Sequence, residues 1–282
     1  MRRERIAGAP ISWGVCEVPG WGHQLTPDRV LAELAGLGIG ASEFGPDGFL
    51  PGPLLAEHGV TAVGGFVPAV LHDPGRDPLP GIRAALDSFT AAGARTLVLA
   101  AATGQDGYDA RPALDAAGWR TLLARLDAAA DLAAGLGVTT ALHPHVGTMV
   151  EGPADVDRVL DGSRTGLCLD TGHLLVGGTD PVALARRAAD RVTHVHLKDV
   201  DAARAAAVRD GAATYTAAVA AGLYRPLGTG DLDLAALLAT LEAAGYDGWY
   251  VMEQDTVLTA EPPPSRGPVD DVRTCLTWLA AQ

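Results

Sequence analysis

Four short apolar runs in this chain stop at side chains that bind cations or move protons. Ala141-Leu142 gives way to His143-Pro144-His145, Leu167-Cys168-Leu169 to Asp170-Thr171-Gly172-His173, Val195-His196-Leu197 to Lys198-Asp199, and Tyr250-Val251-Met252 to Glu253. Carboxylate and imidazole donors brought together from several segments are how proteins hold a divalent ion, and nitrogen in the donor set favours borderline ions. The chemistry indicated is metal-assisted, with Mn²⁺ or Co²⁺ expected first and Zn²⁺ or Mg²⁺ after them.

Each residue taken singly also has an ordinary explanation. A strand-end histidine is commonly a hydrogen-bonded core residue, Asp170 can cap the helix that follows it, and Lys198 can pair with Asp199 or stand in solvent. Strand alternation argues for more: His194 and His196 fall on one side, and Lys198 continues that row, so all three can face inward. Gly172 allows a sharp turn that would swing His173 back over the site. Asp170 is then expected as a metal ligand, His173 as a substrate contact or proton carrier, and Lys198 as an ammonium that stabilises a developing enolate.

Residues at strand ends need strands and helices to place them. Thr26-Pro27 starts a helix, Thr as cap and Pro at the first helical position, and Val30, Leu31, Leu34 and Leu37 keep helical spacing to Gly38. The Ala- and Leu-rich stretch from Trp119 to Leu136 is the clearest helix, and others are expected near 53–58, 81–92, 154–160, 181–190 and 232–243. Strands are expected to begin near Ile6, Ala41, Val60, Thr96, Val138, Thr165, Val192 and Trp249. Eight strands alternating with helices in one chain of 282 residues predict a single-domain (β/α)8 TIM barrel, α/β in class, over an open doubly wound sheet. Two segments exceed the bare repeat. The seventh strand-to-helix connection, about residues 200–230, is long, Ala-rich and helical in character, as substrate covers are; a closing helix, about 268–281, follows the spacer Glu261-Pro262-Pro263-Pro264.

Composition limits the partners. The chain carries 34 acidic against 21 basic residues, a net charge of -13, which disfavours nucleic acid and anionic membranes. A small neutral ligand fits better, and no apolar run approaches the roughly 20 residues of a membrane span. Met1-Arg2-Arg3 opens as a signal peptide does, but the apolar segment after it is short and broken by Gly8, Pro10 and Ser12. Cys16, Cys168 and Cys275 are odd in number and lack metal-site spacing, so reduced thiols and a cytoplasmic location are expected.

Leu-Asp-Thr-Gly-His at 169–173, His-Val-His-Leu-Lys-Asp at 194–199, Gly-Thr-Gly-Asp-Leu-Asp at 228–233 and the late strand ending in Glu253 resemble the xylose isomerase-like barrel superfamily of sugar isomerases and epimerases. Gly8-Ala9-Pro10-Ile11-Ser12-Trp13, Glu43-Phe44-Gly45, His143-Pro144-His145-Val146-Gly147-Thr148 and Gly245-Tyr246-Asp247-Gly248-Trp249 most resemble, within it, the inosose dehydratases. The resemblance spans nearly the whole chain. It implies metal ligands at Asp170, His196 and Glu253, with a fourth at the end of the fifth strand. Epimerases and isomerases of the superfamily usually carry Glu at that fourth place; this chain has His143.

That departure matters, because epimerisation of this type resembles a relay between two glutamates flanking a metal-bound enediolate. Dehydration needs a polarised ketone, a base for the α-proton and an acid for the departing hydroxyl. The expectation is therefore a metal-dependent lyase that dehydrates a keto-inositol (2-keto-myo-inositol), with His143 as ligand or ligand support, Glu253 as ligand and candidate base, and Lys198, His173 or His145 as acid or enolate stabiliser. Trp13, Glu43, His72, Glu151 and Arg225 are weaker candidates for polyol contacts, and Glu151 serves equally well as the start of a helix at Gly152-Pro153.

Three rivals have distinct signatures. A keto-sugar isomerase or epimerase on the same metal would exchange substrate hydrogen without losing water. A barrel phosphodiesterase acting on DNA would need a basic face, against the charge of this chain. A binding protein that had lost turnover would have little reason to keep buried charge at Asp170, His196 and Glu253. The resemblance also implies a homo-oligomer, dimer or tetramer, for which the long connection or the Pro-rich tail are candidate interfaces.

Overall fold

The computed structural model describes residues 3–282, so Met1 and Arg2, which begin the basic N-terminal triplet, lie outside the described residues. Leu97 to Ala101 are fully buried, as expected of a parallel strand covered on both faces, and this accounts for the unbroken apolar run there. The barrel strands are Ile6–Gly8, Ala41–Ser42, Gly64–Ala69 with its leading piece Thr61–Ala62, Thr96–Ala101, Thr139–Leu142, Gly166–Asp170, Val192–Leu197 and Tyr250–Met252. Every barrel pairing is parallel, and the register Ile6↔Tyr250 joins the first strand to the last.

The third strand closes the ring by changing neighbours. Thr61–Ala62 pairs with Ala41–Ser42, Val63 N donates to Ser42 O at 3.0 Å, and from Gly64 onward the same strand pairs with Thr96–Ala101. Gly64 sits at the switch because a Cβ there would lie 2.3 Å from Thr96 O. The eight expected strands are thus present in a TIM barrel, with the strand anticipated from Val60 interrupted at one residue.

Helices cover the outside. Thr26 Oγ1 accepts from Arg29 N at 3.4 Å and caps Pro27–Gly36, as the Thr-Pro signature predicts. Ala116–Ala134 buries Leu122, Leu126, Ala129 and Ala133 along one stripe. The first strand is shorter than the apolar stretch to Ser12, because a 3₁₀ turn takes over at Pro10–Trp13. Pro268–Leu279 is the closing helix, and the tail before it is strapped down: Arg29 donates to Pro263 O at 2.9 Å, and Ser265 N to Glu33 Oε1 at 3.0 Å.

The long seventh connection is two helices, Ala202–Arg209 and Tyr215–Ala220, parted at Gly211 with φ +71°. A short antiparallel ribbon, Asp199–Val200 with Tyr224–Arg225, forms its base. Asp199 anchors the loop below by accepting from Gly228, Gly230 and Leu232 N at 2.8, 2.9 and 3.2 Å. Its carboxylate therefore belongs to the loop, and the expected alternative pairing of Lys198 with Asp199 does not form. Tyr215, Val219, Leu223 and Tyr224 pack against Trp21 and Val146 in a second apolar cluster over the barrel mouth. No helix among the described residues is long and apolar enough to cross a membrane.

Candidate active site

The sixth strand ends in Asp170, whose two oxygens have separate tasks. Oδ1 accepts from Gly172 N and His173 N, both at 2.8 Å, and so caps the short helix Thr171–Val176. Oδ2 lies 3.2 Å from His143 Nε2, 3.3 Å from Lys198 Nζ and 3.5 Å from His196 Nδ1. The capping and the site-facing explanations of Asp170 both hold. Gly172 is helical here and needs no left-handed turn; it is Gly because a Cβ would stand 2.6 Å from Tyr224 Cε1 and 2.8 Å from Lys198 Cβ.

The seventh strand turns His194, His196 and Lys198 inward, as alternation requires. His196 Nδ1 is 3.1 Å from Glu253 Oε2, yet no hydrogen bond is made at that nitrogen. Asp170, His196 and Glu253 each offer one donor atom, all within 4.8 Å of one another, and all three residues are buried. Atoms that converge on a common point without bonding to one another suit a bound cation. His143, at the end of the fifth strand, stands in an adjoining set with Asp170 and His173, and its Nδ1 is buried without a partner. The donor set therefore fits a borderline divalent ion held by Asp170, His196 and Glu253 with His143 beside them.

Lys198 is the cationic centre of the site. Its Nζ lies 2.7 Å from Glu253 Oε2, 2.8 Å from Asp255 Oδ1 and 3.4 Å from His173 Nε2. Burial disfavours the ammonium, but Asp170, Asp255 and Glu253 outweigh that and hold its pKa well above the ordinary lysine value. Glu253 shows the mirror image: burial opposes its charge, while His196 and Lys198 pull its pKa down to about 2. His145 is lowered to about 3 by burial first and then by His143 and Lys198, and His173 is lowered by burial, His145 and Lys198. Lys198 is charged and both imidazoles are neutral. His145 Nδ1 donates to Val146 O at 2.7 Å, leaving Nε2 as the nitrogen with the lone pair.

These groups border a cavity of about 560 Å³, counted to its open mouth and lined by Glu43, His143, His145, His196, Lys198 and Glu253 among the expected residues. The wall also includes Phe66, Tyr108, Trp21, Cys16, Glu17 and Asp255, none of which the sequence marked as a site residue. Asp255 was within reach of the alternation argument, lying two residues beyond Glu253. It accepts from Tyr215 OH at 2.7 Å, so the long connection hydrogen-bonds to this layer of polar groups. Trp21 and Tyr108 come from loops, where no periodicity marks them, whereas Phe66 is on the third strand.

Four expected polyol contacts lie outside this cavity. Trp13 is fully buried and donates Nε1–H to Glu33 Oε2 at 2.8 Å, so it braces the first helix. Glu151 Oε2 accepts from Gly147 N at 2.9 Å, shaping the loop that carries His145, and the next helix starts at Pro153. Arg225 pairs with Asp201 at 3.0 Å on the ribbon. His72 lies just beyond the third strand, half-buried, and is not among the residues that line the cavity. Glu43 does reach the site, but its Oε1 is engaged by His194 Nε2 at 2.7 Å and His196 Nε2 at 3.0 Å.

A closed parallel barrel with a layer of convergent carboxylate and imidazole groups at its strand ends defines a class, and comparison identifies it: the sequence profile of the xylose isomerase-like TIM barrel family matches residues 54–280, and the chain belongs to that family. Among curated relatives it is similar to an inosose dehydratase of Geobacillus kaustophilus (strain HTA426), 32% identical over 268 residues that make up 89% of this chain and 87% of that protein. Among solved structures it superposes on L-ribulose 3-epimerase with a TM-score of 0.70 at 17% identity, covering 98% of this chain and 93% of that one. It also superposes on the IOLI protein with a bound zinc atom, with a TM-score of 0.68 at 14% identity, covering 98% and 97%. At these identities the two structures speak for the fold alone.

Proposed function

We propose that this chain is a metal-dependent hydro-lyase that removes water from a keto-inositol, 2-keto-myo-inositol. The observation that carries the reading is the cavity itself, whose lining ammonium, Lys198, is surrounded by Asp170, Glu253 and Asp255. A carboxylate or phosphate on the substrate would meet these acids without a free counter-charge, whereas the hydroxyls of a neutral polyol can donate to them. The likeness to an inosose dehydratase along 89% of the chain supports the same substrate class. His143 at the fifth strand end supports elimination, because it puts an imidazole at the place where an epimerase carries the second glutamate of its relay.

A divalent ion held by Asp170, His196 and Glu253 with His143, Mn²⁺ or Co²⁺ in first place, supplies Lewis acidity toward the substrate ketone. The chain's own residues do the rest. Lys198 holds an ammonium beside the ion's donors and stabilises negative charge developing on the ketone oxygen. His145, with Nδ1–H fixed on the Val146 carbonyl, lines the cavity with an unprotonated Nε2 to take the α-proton, and the imidazolium so formed returns that proton to the departing hydroxyl, which leaves as water. Glu253, already engaged by Lys198 at 2.7 Å, is a ligand and not the base. The aromatic wall of Trp21, Tyr108 and Phe66 receives the C–H face of a ring and narrows access for water.

The test is an assay of purified protein loaded with Mn²⁺ or Co²⁺ on 2-keto-myo-inositol. The expected result is one water lost per turnover and an absorbing conjugated diketone product. Exchange of the α-hydrogen with solvent and no loss of water would replace this reading with an isomerase or epimerase. A protein that holds no divalent ion and gains no thermal stability from one would defeat the metalloenzyme reading altogether.

A further inference from the structure

Glu43 follows the second strand and faces the inward row of the seventh. One of its oxygens, Oε1, accepts from Nε2 of both His194 and His196, at 2.7 and 3.0 Å, and all three residues are buried. A neutral imidazole has one N–H, and a carboxylate oxygen this close to Nε2 calls the hydrogen to that nitrogen. Nδ1 is then left with the lone pair. In both rings Nδ1 is buried without a hydrogen-bond partner, and in His196 it is the atom that faces Asp170 and Glu253.

We propose that Glu43 is a positioning residue, a single carboxylate that sets the ring orientation and tautomer of two histidines together, so that His196 presents Nδ1 as a ready-made metal donor. His194 is the brace: a carboxylate bonded to one ring can swing with it, whereas one bonded to two rings on the same strand face cannot. Metal-ligating histidines depend on such a partner at the other ring nitrogen, and losing it typically costs 10–100-fold in metal affinity. Glu43, His194 and His196 also lie close enough together to be considered as an ion site of their own. The separation argues against it: donors about 2.1 Å from one ion at a tetrahedral angle stand about 3.4 Å apart, and 2.7 Å is a hydrogen-bond length.

This inference rests on the metal-centre reading of Asp170, His196 and Glu253, and the experiment separates the two. In the metal-free parent, taken to a pH at which both rings are neutral, ¹⁵N-histidine NMR should show His194 and His196 as the Nε2–H tautomer. Titration with Mn²⁺ should give one equivalent per chain, weakened 10–100-fold in Glu43→Gln, whose His196 should become a mixture of tautomers; His194→Phe should fall between the two. An Nδ1–H His196 in the parent overturns the proposal even if no variant folds. So does parent-like Mn²⁺ affinity in Glu43→Gln, or a second equivalent of Mn²⁺ that this variant loses. A parent that binds no Mn²⁺ but shows the expected tautomers removes the metal centre and Glu43's purpose in it, while leaving the ring assignment intact.

Discussion

At the scale of the residue, the site depends on cancellation of charge. Lys198 stands within 3.3 Å of oxygens from Asp170, Glu253 and Asp255, all buried. Lys198→Met removes the counter-charge and leaves acids that must remain charged without a partner or take up protons, a change that costs about 3–5 kcal/mol. Chemical denaturation should show that loss in full in the presence of a chelator and in part with Mn²⁺, since a bound dication replaces some of the missing charge. Equal losses in both conditions would mean that the two cations do not share these oxygens. His145→Asn should keep Mn²⁺ affinity within about threefold of the parent while suppressing exchange of the substrate α-hydrogen by at least about 10²-fold, the scale of a positioned base. Glu253→Gln should lose both properties, and the same pattern for His145→Asn would make His145 a ligand.

Secondary-structure elements fix the side chains within these distances, and their constraints are testable without substrate. The helix Thr171–Val176 must pass close to Lys198, so Gly172 has no room for a methyl group, with Tyr224 Cε1 at 2.6 Å. Gly172→Ala would gain up to about 1 kcal/mol in helix propensity, but overpacking costs about 1–3 kcal/mol; net destabilisation is expected by thermal denaturation. Tyr215, on the second helix of the long connection, gives Asp255 a hydrogen bond of 2.7 Å. Tyr215→Phe should cost about 1.5–3 kcal/mol, as expected for a buried bond to a charged acceptor. It should also loosen the connection, read as faster amide exchange across 202–223. Unchanged exchange there would show that packing against Trp21 and Val146 holds the connection by itself.

For the whole molecule, ligand binding and stability are linked. An ion that binds only the folded barrel adds about 2.7 kcal/mol at one hundred times its dissociation constant, so Tm should rise with Mn²⁺ or Co²⁺ and fall back on chelation. Cys16 offers a second global readout, because it lines the cavity and burial, then Glu17, push its thiol well above the ordinary cysteine range. The thiolate is the reactive form, so at pH 8 Cys16 should be alkylated much more slowly than a free cysteine. Raising the pH should speed the reaction, and a bound polyol should slow it again. Fast labelling at pH 8 that polyol leaves unchanged would place Cys16 outside the occupied pocket.

Sequence alone determined the barrel and the strand-end places of Asp170, His196 and Glu253, because both are written in local patterns. Buried parallel strands are short apolar runs, and alternation places His194, His196 and Lys198 on one face whatever surrounds them. The polar stops at Asp170, His196 and Glu253 follow from the same rule, since strand ends of a barrel share one rim. Tertiary structure decided everything that depends on which loop leans over that rim. Trp13 turns outward to Glu33, Arg225 stays on its ribbon, and Tyr108, Trp21 and Tyr215 arrive from segments whose order along the chain carries no trace of their meeting. The role of Glu43 is of the same kind. Its carboxylate reads as a sugar contact until the closed barrel brings it, across 151 and 153 residues of chain, onto two imidazoles, and only that meeting fixes which nitrogen of His196 is free to bind.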